Sequence, residues 1–194
     1  MKSIYLKNNS NNSNNSNNSN NSNNSNNSNN SNTKIREKIN KLPNDISLNI
    51  IKNIDNHQYQ IDLVKKLKFK ESFLEEKFII SELKSKISSY KQQDIKKDLH
   101  EAENLILFDD VVNKLFDSKL ICYYCNEQIY ILFNKVRYSK QWTLDRLNNL
   151  NEHTCNNTII ACLKCNLQRR RKNSDKFKFT KQLENNIIKI NKIS

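Results

Sequence analysis

The chain has 194 residues, a formal net charge of +13 and a sequence pI near 9.5, with no glycine and a single proline. So large an excess of lysine and arginine points to a polyanionic partner, and the length beyond residue 32 suffices for one compact domain with a helical extension. The opening MKSIYLK runs straight into polar repeats and no stretch is apolar for long enough to cross a bilayer, which argues against secretion and a membrane span and for a soluble intracellular protein.

In chain order, Asn8 to Asn32 is eight Asn-Asn-Ser triplets and one further Asn. With no apolar side chain to bury, residues 1–32 are expected to be a disordered low-complexity spacer. Residues 33–108 read as a helical extension. Within it Asp45 is placed to cap a short helix through Ile46, Leu48, Ile50 and Ile51. Phe73, Leu74, Phe78, Leu83, Ile87 and Tyr90 recur at helical spacing, which predicts an amphipathic helix from Glu71 to about Tyr90. Its apolar stripe needs a surface, either the C-terminal part of the chain or a second copy. Self-association through this arm is therefore an expectation too.

Asp109 or Asp110 is placed to cap a helix carrying Val111, Val112, Leu115 and Phe116, which delivers the chain to Cys122. Cys122 and Cys125 form one Cys-x-x-Cys pair and Cys162 and Cys165 another, with 36 residues between them. In a reducing compartment that spacing predicts two knuckles sharing one tetrahedral zinc ion. The alternation of Ile129, Ile131 and Phe133 with Tyr130 and Leu132 reads as a strand, and Trp142 to Asp145 as another, with Asp145 on the face away from the core. After the apolar run Thr158 to Ala161 a helix is expected near Cys162, and residues 176–194 read as a basic tail ending in a short helix through Leu183, Ile187, Ile188 and Ile190. His57 and His100 read as surface histidines, and Cys155 as incidental.

From Ser118 onward there are 15 Lys or Arg against 5 Asp or Glu. Part of the lysine excess fits an AT-rich coding bias, as do abundant Asn and Ile. The run Arg169, Arg170, Arg171 and Lys172 does not, because arginine is scarce elsewhere, and it is expected to grip nucleic-acid phosphates. Asp145 at a strand end and Asn166 on the following helix are spaced to share a harder cation, Mg²⁺ or Mn²⁺, with an open coordination shell.

The combination CYYC, LDRLNN, EHTCNN and CLKCN resembles the HNH endonuclease family of ββα-metal fold, in its zinc-stapled branch, over about residues 109–172; KQWTLDRLNN with ACLKCNLQRR resembles HNH-like proteins of giant viruses. The resemblance implies an α+β fold with a zinc-bound HNH-like domain over 109–175. It also implies structural zinc on the four cysteines, catalytic metal on Asp145 and Asn166, and Asn157 bracing the loop. Duplex DNA is the implied partner, cut by hydrolysis of its phosphodiester bonds, and the host cytoplasm or a viral factory the implied location.

Two positions depart from the family pattern. Arg146 stands where a general-base histidine is common, and a guanidinium cannot be that base but can clamp a phosphate. His153, in the following loop, is then either the proton acceptor or a loop-shaping residue. Glu152 replaces a usual glycine, which implies strain if that position needs a positive φ. The alternative function is a catalytically inactive zinc-stabilised module that binds nucleic acid, and a third is a scaffold assembled through the helical arm.

Overall fold

The computed structural model describes residues 43–99 and 104–190. The chain divides between Asn32 and Thr33, and every described residue belongs to the second unit. The Asn/Ser tract, for which disorder is expected, and His100 lie outside the described residues. Among the described residues six helices and two strands make a mixed α+β fold: α1 (Asn44–Asn53), α2 (His57–Phe69), α3 (Glu76–Ile95), α4 (Phe108–Asp117), β1 (Trp142–Arg146), β2 (Thr158–Cys162), α5 (Leu163–Arg169) and α6 (Ser174–Ile190). No helix among them is long and apolar enough to cross a membrane.

The helices follow local chemistry with some corrections. α1 is entered through Pro43 rather than capped by Asp45, and exposes Leu48 and Ile51 while burying Ile50. α2, which the sequence reading passed over, is capped by Asn56, whose Oδ1 accepts the Tyr59 N–H at 3.1 Å; it ends at Lys70 in the left-handed conformation. Its buried Leu63 and Val64 pack toward α4, which buries Val111, Val112 and Leu115. At the start of α4 neither aspartate is the capping residue. Leu107 takes that place, and Asp110 reaches back to accept its N–H at 3.2 Å.

α3 begins five residues later than expected and runs on to Ile95. The segment before it turns so that Glu75 is buried against Tyr59 and Asn49. The buried stripe of α3 is Ile79, Leu83, Ile87, Tyr90 and Asp94. Its last position is an acid, which is why apolar periodicity stops short of the true end. The stripe is spent on this chain's own core.

β1 and β2 pair antiparallel in the register Trp142↔Cys162 to Arg146↔Thr158. A two-stranded ribbon has two open edges and is not stable alone. Here side chains and loops close both. On β1, Tyr90 Oη accepts the Leu144 N–H, Lys86 Nζ donates to the Trp142 carbonyl, and Asn166 Nδ2 donates to the Leu144 carbonyl at 3.2 Å. On β2, the Tyr123 N–H and Lys114 Nζ reach the carbonyls of Ile160 and Thr158. All five residues of β1 are buried, so the expectation that Asp145 faces away from the interior is corrected: the second face is roofed by α5 and by Tyr124.

The segment Ile129 to Phe133 is not a strand. All five residues are buried, so alternation has no solvent side to report, and Tyr130 makes only an isolated bridge to Gln141. Ile129 and Tyr130 bond to the backbone of Leu120, Lys140 and Trp142, and the next two residues are held by one fully buried side chain of α2. Gln60 Oε1 accepts the N–H groups of Ile131 and Leu132, and its Nε2 donates to the carbonyls of Leu132 and Ile54. The helix expected through Leu183, Ile187, Ile188 and Ile190 is the later part of a longer one: α6 starts at Ser174, and Phe177 enters the core against Tyr124.

Candidate metal centre and buried ion ladder

The four cysteines come from two turns held on the ribbon. Cys122 and Cys125 lie in the turn whose Tyr123 N–H bonds β2, while Cys162 ends β2 and Cys165 lies in the first turn of α5. Their sulfurs all lie within 4.8 Å of one another, with Cys125 and Cys162 at 4.0 Å. For zinc–sulfur bonds of about 2.3 Å a regular tetrahedron has edges of about 3.8 Å. The quartet is thus positioned to hold a metal ion, and an all-sulfur donor set suits structural zinc. Backbone N–H groups of Cys162 and Cys165 already point at the sulfurs of Cys122 and Cys162, at 3.2 and 3.3 Å.

The thiols also titrate as a group. Hydrogen bonds from Cys125 and then from the other two hold Cys122 far below the ordinary thiol range, while bonds to Cys122 push Cys162 and Cys165 up. Four sulfurs this close ionise together only around a cation, so metal uptake releases protons. Cys155 lies outside the quartet.

At the far end of β1 stands a different arrangement. Asp145, 5% exposed, accepts Arg169 Nε at 2.6 Å, Arg169 Nη2 at 3.0 Å and the Tyr124 hydroxyl at 2.6 Å. Arg169 is 1% exposed and also donates to the Arg146 carbonyl, the Lys172 carbonyl and Asn149 Oδ1. Burial would lower the Arg169 pKa, but the Asp145 hydrogen bond and charge outweigh it and raise it above the usual guanidinium value. The Tyr124 hydroxyl lies 3.3 Å from Ser174 Oγ at the head of α6, and its pKa is pushed up by burial and then by Asp145.

Beside this pair, Arg146 Nη1 contacts Asp94 at 3.4 Å and donates to the Asn151 carbonyl at 3.0 Å. Asp94, fully buried, also accepts the backbone N–H of His153 at 2.8 Å and faces its Nδ1 at 2.8 Å. The His153 ring lies against Tyr90, and burial holds its pKa below the ordinary imidazole value despite the Asp94 carboxylate. Asp94, Arg146, Arg169 and Asp145 thus form one interior ladder from α3 through β1 to α5.

The residues singled out in the sequence sit in and around this ladder. Arg146, expected as a phosphate clamp, is buried with its Nη1 against Asp94. His153, expected as a proton acceptor or a loop-shaping residue, is 4% exposed and held from inside by Asp94. Arg169 is an interior ion, whereas Arg170, Arg171 and Lys172 are exposed. Asn166 Nδ2 donates to Thr143 Oγ1 and the Leu144 carbonyl, so it serves as an edge cap. With every carboxylate bond of Asp145 directed to Arg169 or Tyr124, the Asp145 and Asn166 pair does not fit an open Mg²⁺ or Mn²⁺ shell in this arrangement.

Asn157 braces the loop between the strands: its Nδ2 donates to the carbonyls of Asn148 and Glu152, and its Oδ1 accepts the Asn148 N–H. Glu152 is buried and is not among the positive-φ residues, so its replacement of glycine carries no backbone strain. His57 is half-buried, its Nε2 3.0 Å from the Leu120 carbonyl. Sequence reasoning missed Asp94 altogether. The one signal available was its place, four residues after Tyr90, on the buried stripe of α3.

No family model matches the chain, and neither a curated protein nor a solved structure matches it. What stands on the chain's own geometry is a mixed α+β fold with a four-cysteine centre positioned to hold a metal ion.

Proposed function

We propose that the second unit is a metal-stapled module that binds duplex nucleic acid through its basic rim and does not hydrolyse it. One observation carries this reading: Asp145, the carboxylate that a hydrolytic cation would need, already holds a guanidinium, while the three cations after Arg169 are turned to solvent. A phosphate backbone is met by such exposed cations without sequence choice, and the resulting affinity falls with salt.

The test is binding of a mixed-sequence DNA duplex over a salt series, with plasmid nicking followed in Mg²⁺ and Mn²⁺. Binding is expected, with a log–log salt slope that falls by about 2.7 when Arg170, Arg171 and Lys172 are all changed to alanine, at about 0.9 per phosphate contact. The plasmid is expected to stay supercoiled. Absence of salt-dependent binding sinks the proposal.

A second reading, metal-assisted hydrolysis of DNA, is favoured by the Asn157-braced loop between two strands and a helix, together with the resemblance in the motif residues. It requires Arg169 to leave Asp145. Nicking that depends on Mg²⁺ or Mn²⁺ and vanishes in Asn166→Ala would establish it over the first.

A further inference from the structure

The exposed cations nearest the ladder do not all come from one stretch of sequence. Lys97 follows Asp94 by one turn, its N–H bonded to the Asp94 carbonyl at 3.0 Å. Asp94 holds Arg146, the Arg146 carbonyl takes Arg169 Nη2, and the Arg169 carbonyl accepts the Lys172 N–H at 2.9 Å. This relay, running through the Arg146 and Arg169 side chains, ties the end of α3 to the turn that follows α5. The Lys97 ammonium is held below the usual lysine value, by partial desolvation first and then by the charge of Arg146, which the Asp94 carboxylate opposes, with Arg171 adding to the lowering. Like charges gathered at an edge favour an anion there.

The turn is also fixed in direction. Asn149 Nδ2 donates to the Arg170 carbonyl at 2.9 Å, and Arg169 Nη1 to the Lys172 carbonyl at 2.8 Å. Arg170 sits at φ 52°, ψ −110°, a conformation that a side-chain-bearing residue adopts only when its surroundings impose it. The backbone on both sides of Arg171 is therefore anchored to the interior ladder. Its side chains leave from a set position and avoid part of the ordering cost of gripping a ligand.

We infer that Lys97 of α3 and Arg170 and Arg171 of the α5–α6 turn form one phosphate-binding edge, so that the helical extension supplies part of the nucleic-acid contact. This rests on the binding function proposed above and adds to it a residue from outside the cysteine-bearing segment. The ligand is the phosphodiester backbone of a DNA duplex, met by two elements at once.

The test compares salt slopes on the full chain for Lys97→Ala, Arg171→Ala, their double variant and Lys52→Ala, an exposed lysine of α1. All three sites are exposed, so folding is retained, and circular dichroism checks it. Lys97→Ala and Arg171→Ala are each expected to lower the slope by about 0.9, the double variant by about 1.8, and Lys52→Ala by nothing. A parent slope that Lys97→Ala leaves unchanged while Arg171→Ala lowers it overturns the inference and spares the binding function. An equal loss in Lys52→Ala also overturns it, since the edge would then be no different from any other surface lysine. A parent without salt-dependent binding removes both.

Discussion

The two ends of the β1–β2 ribbon carry the same kind of problem and solve it oppositely. At one end four sulfurs face one another with no cation of their own making. At the other, two carboxylates are already matched by two guanidiniums inside the chain. The first is a centre whose stability must come from outside, because crowded thiols repel as they ionise and are reconciled only by a metal. The second is complete as folded, and a divalent ion there would have to displace Arg169. A carboxylate at a motif position is therefore no evidence of an open metal site until its partners are known.

Metal removal is the largest way to break this contrast. Structural zinc contributes an apparent 10 to 16 kcal/mol, roughly, which exceeds the whole stability of many domains. Chelation, or Cys162→Ser, is expected to abolish the cooperative thermal transition followed by circular dichroism, with one metal per chain counted by mass spectrometry in the parent. Unchanged melting in chelator would sink the zinc assignment.

Asp145→Ala comes next. It strands Arg169 in the interior and is expected to cost about 3 to 5 kcal/mol in urea unfolding. The contrast is sharpened by a double change, Asp145→Leu with Arg169→Met, which should recover much of that loss because an apolar pair avoids desolvating two charges. No comparable apolar replacement should rescue the cysteine quartet. An Asp145→Ala protein as stable as the parent would mean that the ion pair is not formed in solution.

Tyr124→Phe removes one hydroxyl from Asp145 while Arg169 remains, so a loss of about 1 kcal/mol is expected by the same measurement. A loss as large as that of Asp145→Ala would show that the tyrosine, not the arginine, holds the carboxylate.

The smallest effect is the titration of His153. Its folded pKa lies below 6.5 because of burial, so beneath that pH the unfolded chain binds more protons than the folded one. This stability is fully present above 6.5 and is lost as acid carries the imidazole through its lowered value. The urea midpoint should therefore fall from neutral pH toward about pH 5, and His153→Gln should flatten that part of the profile. A parent midpoint that rises on acidification contradicts the neutral buried imidazole.

Much of this arrangement was legible in the residues alone. The cysteine spacing announced the quartet, because two thiolates three apart on a tight turn have few other uses in a reducing setting. Trp142 to Asp145 announced one strand of the ribbon, the spacing of Val111, Val112, Leu115 and Phe116 announced α4, and the run from Thr158 led to a helix near Cys162. Where alternation failed, at Ile129 to Phe133, both faces are buried and Gln60 from far away supplies the missing ladder bonds. Where periodicity failed, at the end of α3, the next buried position is Asp94, whose charge reads as surface until its partners are seen.

Charge and spacing by themselves determined that the chain carries a sulfur centre, a strand pair leading into a helix, and a strongly basic final third. They did not decide which of those charges face water. Arg169 and Arg170 are neighbours of the same type, yet one is buried on Asp145 and the other exposed. Only the tertiary structure separates them, because burial of an ion depends on a counter-ion brought from a distant part of the chain, and no local pattern records that meeting.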